Sequence, residues 1–363
     1  MLIARAPMRI SFGGGGTDLE AYYAKYGGVV ISTTINKHFY SVVTTDESDD
    51  LQVISADYRS LFRHSPYNDL FWDGDLALPK AILHHFGIRR GVNLFVASEV
   101  PPGTGLGSSS AAAVTMILAI STLIGQTLTR QQVAELACYI EIDKMGMPIG
   151  KQGQYASAFG GLNKITFSGE GVTVEPIKIA ADVERTLERR LMLFFTGSSR
   201  ESTTILEHQR RSTQEHDESV LRALHTIKQI AAGMQACLER GDLDEFARLL
   251  HYSWQEKRRL APGLSTNFID ECYTLALEGG ASAGKITGAG GGGFLLIYCQ
   301  EQAQEGVTRA LEDRGLKRMN FRFDRSGMSV VLNMANFNQN WVAPYPEYAF
   351  QESQARELQT HVR

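Results

Sequence analysis

The sequence predicts an α+β protein in two parts, and three observations carry that reading. Apolar runs of extended character crowd the region up to about residue 100. Between 201 and 260 the apolar residues switch to helical spacing. After Gly293 a strand, a helix and two further strands follow in close order. With 363 residues the chain is long enough for two full cores. We expect a first domain over 1–185, a second over 186–333, and a tail over 334–363 whose Trp341, Pro344 and Pro346 suggest no role.

Taken in order, 2–6 and 9–12 read as strands, then 29–33, 38–45 and 51–55, with a helix near 78–86. Small residues over 111–123 give a further helix. Thr129 and Gln132 fit a capping box, and the helix behind it, 130–144, keeps Val133, Leu136, Ala137 and Ile140 on one face. Runs at 162–167 and 172–176 flank Gly169 and Gly171 as a hairpin. The apolar run 191–195 is a strand. Val220, Leu224, Ile227, Ile230, Met234 and Leu238 mark the core face of a long helix that stops at Gly241. Asp242 and Glu245 open the next helix, through Phe246, Leu250 and Trp254. The closing elements are a strand at 294–298, a helix at 301–313, and strands at 317–323 and 328–332.

Composition excludes several classes. The formal charge of −4 implies no broad basic surface for nucleic acid or membrane. Apolar residues at 43% and charged residues at 21% are ordinary globular usage, and no apolar run reaches membrane-spanning length. Cys138, Cys237, Cys272 and Cys299 lack metal-type spacing and read as buried thiols of a reducing compartment. The start of the chain carries no secretion signal, so the cytoplasm is expected.

Function is most legible at Pro102-Gly103-Thr104-Gly105-Leu106-Gly107-Ser108-Ser109-Ser110, where an extended run meets the start of a helix. The first turn of a helix presents unpaired N–H groups and the positive end of the macrodipole, which attract phosphate. The glycines let the backbone approach an anion, and the serines add hydroxyls for phosphate or Mg²⁺. A Walker A loop is excluded, because no Lys-Ser or Lys-Thr follows the last glycine. Gly288-Ala289-Gly290-Gly291-Gly292-Gly293 matches a dinucleotide fingerprint by letter, but a strand follows it where that fingerprint needs a helix. Gly13 to Gly16 also fails, since Asp18 stands in place of the third glycine.

The order of three glycine clusters carries a resemblance. Ala6-Pro7-Met8-Arg9 leads to Gly13-Gly14-Gly15-Gly16-Thr17-Asp18. The 101–109 loop follows, and Lys285-Ile286-Thr287-Gly288-Ala289-Gly290-Gly291 lies near the C-terminal end. Over 1–332 the chain resembles the GHMP kinases. Together with 194–200 (Phe-Phe-Thr-Gly-Ser-Ser-Arg), these details look most like the branch that phosphorylates the anomeric hydroxyl of heptose 7-phosphate. The resemblance implies a first half like domain 2 of ribosomal protein S5, a ferredoxin-like second half, and dependence on ATP and Mg²⁺.

It also implies roles. The loop from Pro102 through Ser110 takes the ATP phosphates. Ser109 and Glu141 match the family's Mg²⁺ ligands; Glu141 falls near the buried face of its helix, where a carboxylate needs a partner. Its ordinary alternative is a surface pair with Lys144. Arg9 matches the cation that faces the γ-phosphate. Asp18 matches the residue that bonds sugar hydroxyls, the alternative being an N-cap for a helix over 19–25. Gly14, Gly15, Gly16 and Thr17, with Gly288, Ala289, Gly290 and Gly291, complete the implied substrate site.

One position departs from the pattern. The family's sugar kinases carry Gln-Asp-Gln-Tyr, with the aspartate contacting the attacking hydroxyl; here the run is Gln152-Gly153-Gln154-Tyr155. Glycine accepts no proton, and loss of a general base commonly costs roughly 10²–10⁴-fold in rate. The readings are therefore a sugar 1-kinase weakened at Gly153, a non-catalytic sugar- or nucleotide-binding relative, and a dinucleotide oxidoreductase, the last disfavoured by the strand after Gly293. Fucose, galactose and uronic-acid sugars stay open as substrates. Lys151, Arg200, Lys285 and the His208, Arg210, Arg211 cluster are available for a distal phosphate, Arg210 and Arg211 also fitting a solvated helix face; Trp72 is a candidate for the adenine pocket.

Overall fold

The computed structural model describes residues 1–46, 50–64, 71–88, 91–198 and 203–335. Strands are β1 (Leu2–Gly13), β2 (Gly28–Thr45), β3 (Leu51–Ser55), β4 (Ser60–His64), β5 (Val92–Ser98), β6 (Asn163–Ser168), β7 (Gly171–Pro176), β8 (Leu191–Phe195), β9 (Ala281–Ile286), β10 (Phe294–Cys299), β11 (Lys317–Met319) and β12 (Ser329–Asn333). Helices in the first half are α1 (Glu20–Tyr26), α2 (Ala77–His85), α3 (Ser108–Leu123), α4 (Arg130–Cys138), α5 (Gln152–Phe159) and α6 (Ala181–Arg190). The second half adds α7 (Thr203–Gln214), α8 (Glu218–Arg240), α9 (Leu243–Lys257), α10 (Asn267–Glu278) and α11 (Gln304–Glu312). No helix among the described residues is long and apolar enough to cross a membrane.

Two sheets result, one in the order β12-β1-β2-β5-β3-β4 with β6 and β7 branching from β2, the other β11-β8-β10-β9. The strands read separately at 2–6 and 9–12 are one, β1, interrupted by a register shift between Pro7 and Met8. The long β2 likewise joins 29–33 to 38–45. The segment at 328–332, expected in the second half, is β12 and pairs with β1 of the first sheet, Leu2 opposite Asn333. That pairing covers the edge of β1, which would otherwise present open backbone groups. Tail residues 336–363 lie outside the described residues.

Local signals place most boundaries. Gln132 N–H donates to Thr129 Oγ1 at 3.2 Å while Thr129 N–H donates to Gln132 Oε1 at 2.9 Å, the expected capping box. Asp242 caps α9 by accepting from Glu245 N–H at 3.0 Å. The helix after Thr129 is α-helical only to Cys138 and continues as a π-turn over Tyr139–Lys144. Such turns bulge one residue out of register and often sit at functional positions. All four cysteines are free and buried.

The connection before β12 is tied to the first sheet by its backbone, Asp324 N–H donating to Thr34 O at 2.9 Å. His38 Nε2 lies 2.8 Å from Asp324 Oδ2, and Ser326 donates to Oδ1 through both its N–H and its hydroxyl. Burial alone would raise the Asp324 carboxyl, but these bonds outweigh it and hold it at about 2, below its ordinary 3.8. A depressed carboxylate stabilises the fold above its unfolded value and loses that contribution as pH falls from 3.8 toward 2. Melting temperature is therefore expected to drop across that window, and the Asp324→Asn variant to show a shallower drop from a lower starting point.

Candidate active site

The three glycine clusters meet in a cleft between the two halves. From the first half it is lined by Arg9, Gly15, Gly16, Asp18, the glycines and serines of 103–110, and Gly150, Gln152 and Gly153; from the second by Gln209, Lys257, Thr287 to Gly290 and Gly292. The clusters are locked backbone to backbone. A Cβ at Gly105, where φ is +80°, would fall 2.5 Å from Thr287 O, and one at Gly288 would overlap Gly105. Phe294 N–H donates to Thr104 O at 3.2 Å. Side chains at these positions would separate the halves, so the chain needs glycine in both loops.

Gly103, Gly105 and Gly107 all have positive φ, and Gly107 leads directly into α3 at Ser108, earlier than the expected start at 111. No side chain caps this terminus. The first turn of a long helix, carrying Ser108, Ser109 and Ser110, therefore faces the cleft as an anion cradle. Pro102, Thr104 and Leu106 do not line the cleft. Thr104 and Leu106 are buried and brace the loop, Thr104 Oγ1 donating to Pro101 O at 2.8 Å.

Arg9 lies against the loop. Its N–H donates to Leu106 O at 2.9 Å, its Nη1 to Gly105 O at 2.5 Å, and its buried Nε has no partner. Burial lowers the guanidinium to about 10, with the Asp18 charge opposing, so it stays charged at neutral pH. The orphaned Nε of a buried cation beside an uncapped helix N-terminus fits an anion that bonds it.

Asp18 is buried, and it does not cap α1, whose N-cap is Leu19. Its Oδ1 accepts from Gly16 N–H at 2.9 Å. Its Oδ2 accepts from Gln152 N–H at 3.2 Å and from Gln152 Nε2 at 3.0 Å. Gly150 is glycine because a Cβ there would overlap the Asp18 carboxylate. Gly14 and Thr17 form the turn behind: Thr17 Oγ1 donates to Gly14 O at 2.8 Å, and neither residue lines the cleft. Gly288, Ala289 and Gly290 do line it, whereas the Gly291 N–H is committed to Leu264 O at 2.8 Å.

Glu141 sits in the π-turn, fully buried, and both oxygens are held by neutral groups. Ser109 Oγ donates to Oε1 at 2.6 Å and Gln154 Nε2 to Oε2 at 2.7 Å. Burial raises its carboxyl, partly offset by those two bonds. The Ser109 hydroxyl and the Glu141 carboxylate are hard oxygen donors at the start of α3, and that set suits Mg²⁺, which takes few protein ligands beside phosphate oxygens. The alternative, a surface pairing of Glu141 with Lys144, does not form; Lys144 stacks over Trp72 at 4.9 Å.

Position 153 has a steric context. Gly153 on α5 packs on α3, where a Cβ would overlap Ser110 Oγ and lie 2.8 Å from Ser110 Cβ. Of the other expected cations, Lys151 turns to the Tyr23 ring at 5.2 Å, and Lys285 is buried with Nζ donating to Phe12 O at 3.1 Å. Arg210 and Arg211 are exposed on α7, and His208 lies 3.4 Å from Ser212 Oγ on the same helix; Arg200 lies outside the described residues. Trp72 packs on His84 and does not line the cleft.

The sequence reading missed Lys257 and Gln209. Lys257 is the last residue of α9, three after buried Trp254 and seven after buried Leu250, so it falls on the core stripe. A lysine on a buried face was the available signal.

Two family models match the chain, GHMP kinases N terminal domain over residues 76–161 and GHMP kinases C terminal over 234–317. The chain is 32% identical to the D-glycero-α-D-manno-heptose 7-phosphate kinase of Campylobacter jejuni, over 89% of this chain and 97% of that protein. A crystal structure of a D-glycero-D-manno-heptose 1-phosphate kinase from Bacteroides thetaiotaomicron superposes with a TM-score of 0.76 at 28% identity, covering 92% of this chain and all of that one (100%). Lactococcus lactis galactokinase, solved with galactose, shares the fold at 17% identity, with a TM-score of 0.70 over 91% of this chain and 94% of that one.

Proposed function

We propose that this chain, which belongs to the GHMP kinase family, transfers the γ-phosphoryl group of ATP to the anomeric hydroxyl of D-glycero-D-manno-heptose 7-phosphate. The observation that carries the reading is the buried Arg9, with its orphaned Nε, between a glycine-serine anion cradle and a buried aspartate. Similarity to heptose phosphate kinases supports the acceptor.

Phosphoryl transfer depends on positioning and on neutralising the charge of the moving group. The amides and hydroxyls of 103–110 bind the phosphates, and Ser109 with Glu141 would hold Mg²⁺. A bound Mg²⁺ supplies charge neutralisation at the phosphate oxygens. Asp18, fixed by Gln152 and Gly16, accepts hydroxyls of the sugar. Arg9 stabilises the charge that develops on the transferred group. Gly153 contributes no base, so turnover is expected to be slow.

The test is ADP release with ATP and Mg²⁺, comparing heptose 7-phosphate with free fucose, galactose and glucuronic acid. Turnover with the heptose phosphate at the lowest KM is expected; silence on every sugar would reject the sugar-kinase reading in favour of a binding protein. In the same assay the Glu141→Gln variant is expected to need at least about 10-fold more Mg²⁺ for half-maximal rate, with its KM for sugar little changed. An unchanged Mg²⁺ requirement would remove Glu141 from the metal site.

A further inference from the structure

Among the described residues, Lys257 is the cation lining the cleft that none of the assigned roles uses. It is buried to 7% exposure and lines the cleft at the end of α9. Its Nζ donates to Gly288 O, and a Cβ built at Gly15 would lie 3.9 Å from it, so it stands between the two substrate loops. Arg9 is bonded to Gly105 O in the same way, and Gly105 and Gly288 are in contact. The two cations thus grip the two interlocked loops.

The local charge is unbalanced. Arg9 on β1 and the basic Lys285 on β9 stand near Lys257, and Asp18 is the carboxylate that opposes Arg9 and Lys257. Its helix neighbour Glu256 is turned away to Arg259 at 3.2 Å. Burial pushes the Lys285 ammonium well below its ordinary value, toward the neutral amine, and the two remaining cations, Arg9 and Lys257, against one carboxylate are a costly arrangement in a protein interior unless an anion completes it. The loop carbonyls that now hold Arg9 and Lys257 are weak partners that a phosphate oxygen would displace.

We propose that Lys257 is a phosphate ligand of the substrate-bound site, a second cation set opposite Arg9 across the glycine loops. The assignment deepens the kinase reading and rests on it for the identity of the phosphates. The shared chemistry is a phosphoryl dianion, supplied either by the γ-position of ATP or by the sugar's own phosphate. Burial first, and then the Arg9 charge, lower the free Lys257 ammonium to about 8, with Asp18 opposing. A bound dianion raises it again, so binding takes up a proton near pH 8, and affinity falls as pH rises through that value.

The experiment compares the full-length chain with Lys257→Met and Lys257→Arg. Calorimetry measures ADP, ATP without acceptor, heptose 7-phosphate and the unphosphorylated heptose. The Met variant is expected to lose about 10- to 100-fold in affinity for one phosphate-bearing ligand, with ADP binding and melting temperature unchanged and with most of the affinity restored in the Arg variant. A loss confined to ATP over ADP places Lys257 on the γ-phosphoryl group, and a loss confined to the sugar phosphate over the free sugar places it on the distal phosphate. Affinities within threefold for every ligand would overturn the proposal. Should the Met variant fail to fold, unmodified protein at pH 8.5 decides: proton uptake on binding ATP or sugar phosphate, read from the buffer dependence of the heat, is required, and its absence from both overturns the assignment. Because ATP and ADP binding need no acceptor, these measurements stand even if no sugar supports turnover.

Discussion

Replacing Arg9 by methionine is expected to lower kcat by about 10²–10³-fold, while KM for ATP changes only a few-fold. Methionine fills much of the same volume and removes the charge. The cost to the fold is small, because the lost Nη1 bond to Gly105 O is offset by relief of a buried, desolvated cation. The contrast between a large rate loss and a small change in melting temperature is the signature of a group that acts on the transition state. Arg9→Lys retains a charge but lacks the planar fork that reaches the loop carbonyl and a phosphate oxygen together, so an intermediate loss is expected. Steady-state kinetics of the three proteins, with thermal melts, decide the matter. A kcat within threefold of the parent in Arg9→Met would place the guanidinium in a structural role.

The parts of this site that the sequence announces are those whose chemistry is local. A glycine repeat before a helix states its own purpose: Gly103, Gly105 and Gly107 take positive φ, and α3 begins where the serines begin. Capping by Thr129 and Asp242 is local too, and both caps form. Asp18 shows the limit, because its residue type suits an N-cap equally well; only the approach of Gln152, from 134 positions along the chain, decides that its carboxylate is turned to the cleft. Pairing of β12 with β1 spans more of the chain still, and no periodicity within 328–332 says which sheet the strand will join. Lys257 was hidden by the stripe that explains its helix, since Phe246, Leu250 and Trp254 account for the pattern without it. A charged residue in register with an apolar stripe deserves the same suspicion that singled out Glu141.

The Gly153→Asp variant is expected to raise kcat about 10²-fold, toward the lower end of what a positioned general base supplies, and to be less stable than the parent. Both effects follow from where Gly153 sits. On α5 it lines the cleft, and a side chain there starts beside Ser110 on the first turn of α3, so a carboxylate is introduced next to the proposed phosphate site. The same contact leaves no room for a Cβ, because Ser110 Oγ would be overlapped and Ser110 Cβ stands at 2.8 Å. Overpacking of this kind typically costs about 1–3 kcal/mol, and it falls on the first turn of α3, the proposed phosphate site. Gly153→Ala isolates that cost: it should melt as low as the Asp variant and turn over no faster than the parent. Adding Ser110→Gly to Gly153→Asp removes the obstructing atoms and should recover part of the lost melting temperature while keeping the gain in rate. If the Asp variant only matches the Ala variant in kcat, then a carboxylate at 153 cannot serve this site, and the glycine is a packing solution between α3 and α5. The transfer would then rely on Arg9 and Lys257 to hold and neutralise the phosphoryl group, with the sugar's proton passing to a phosphate oxygen, which suits a loose transition state that needs little help from a base.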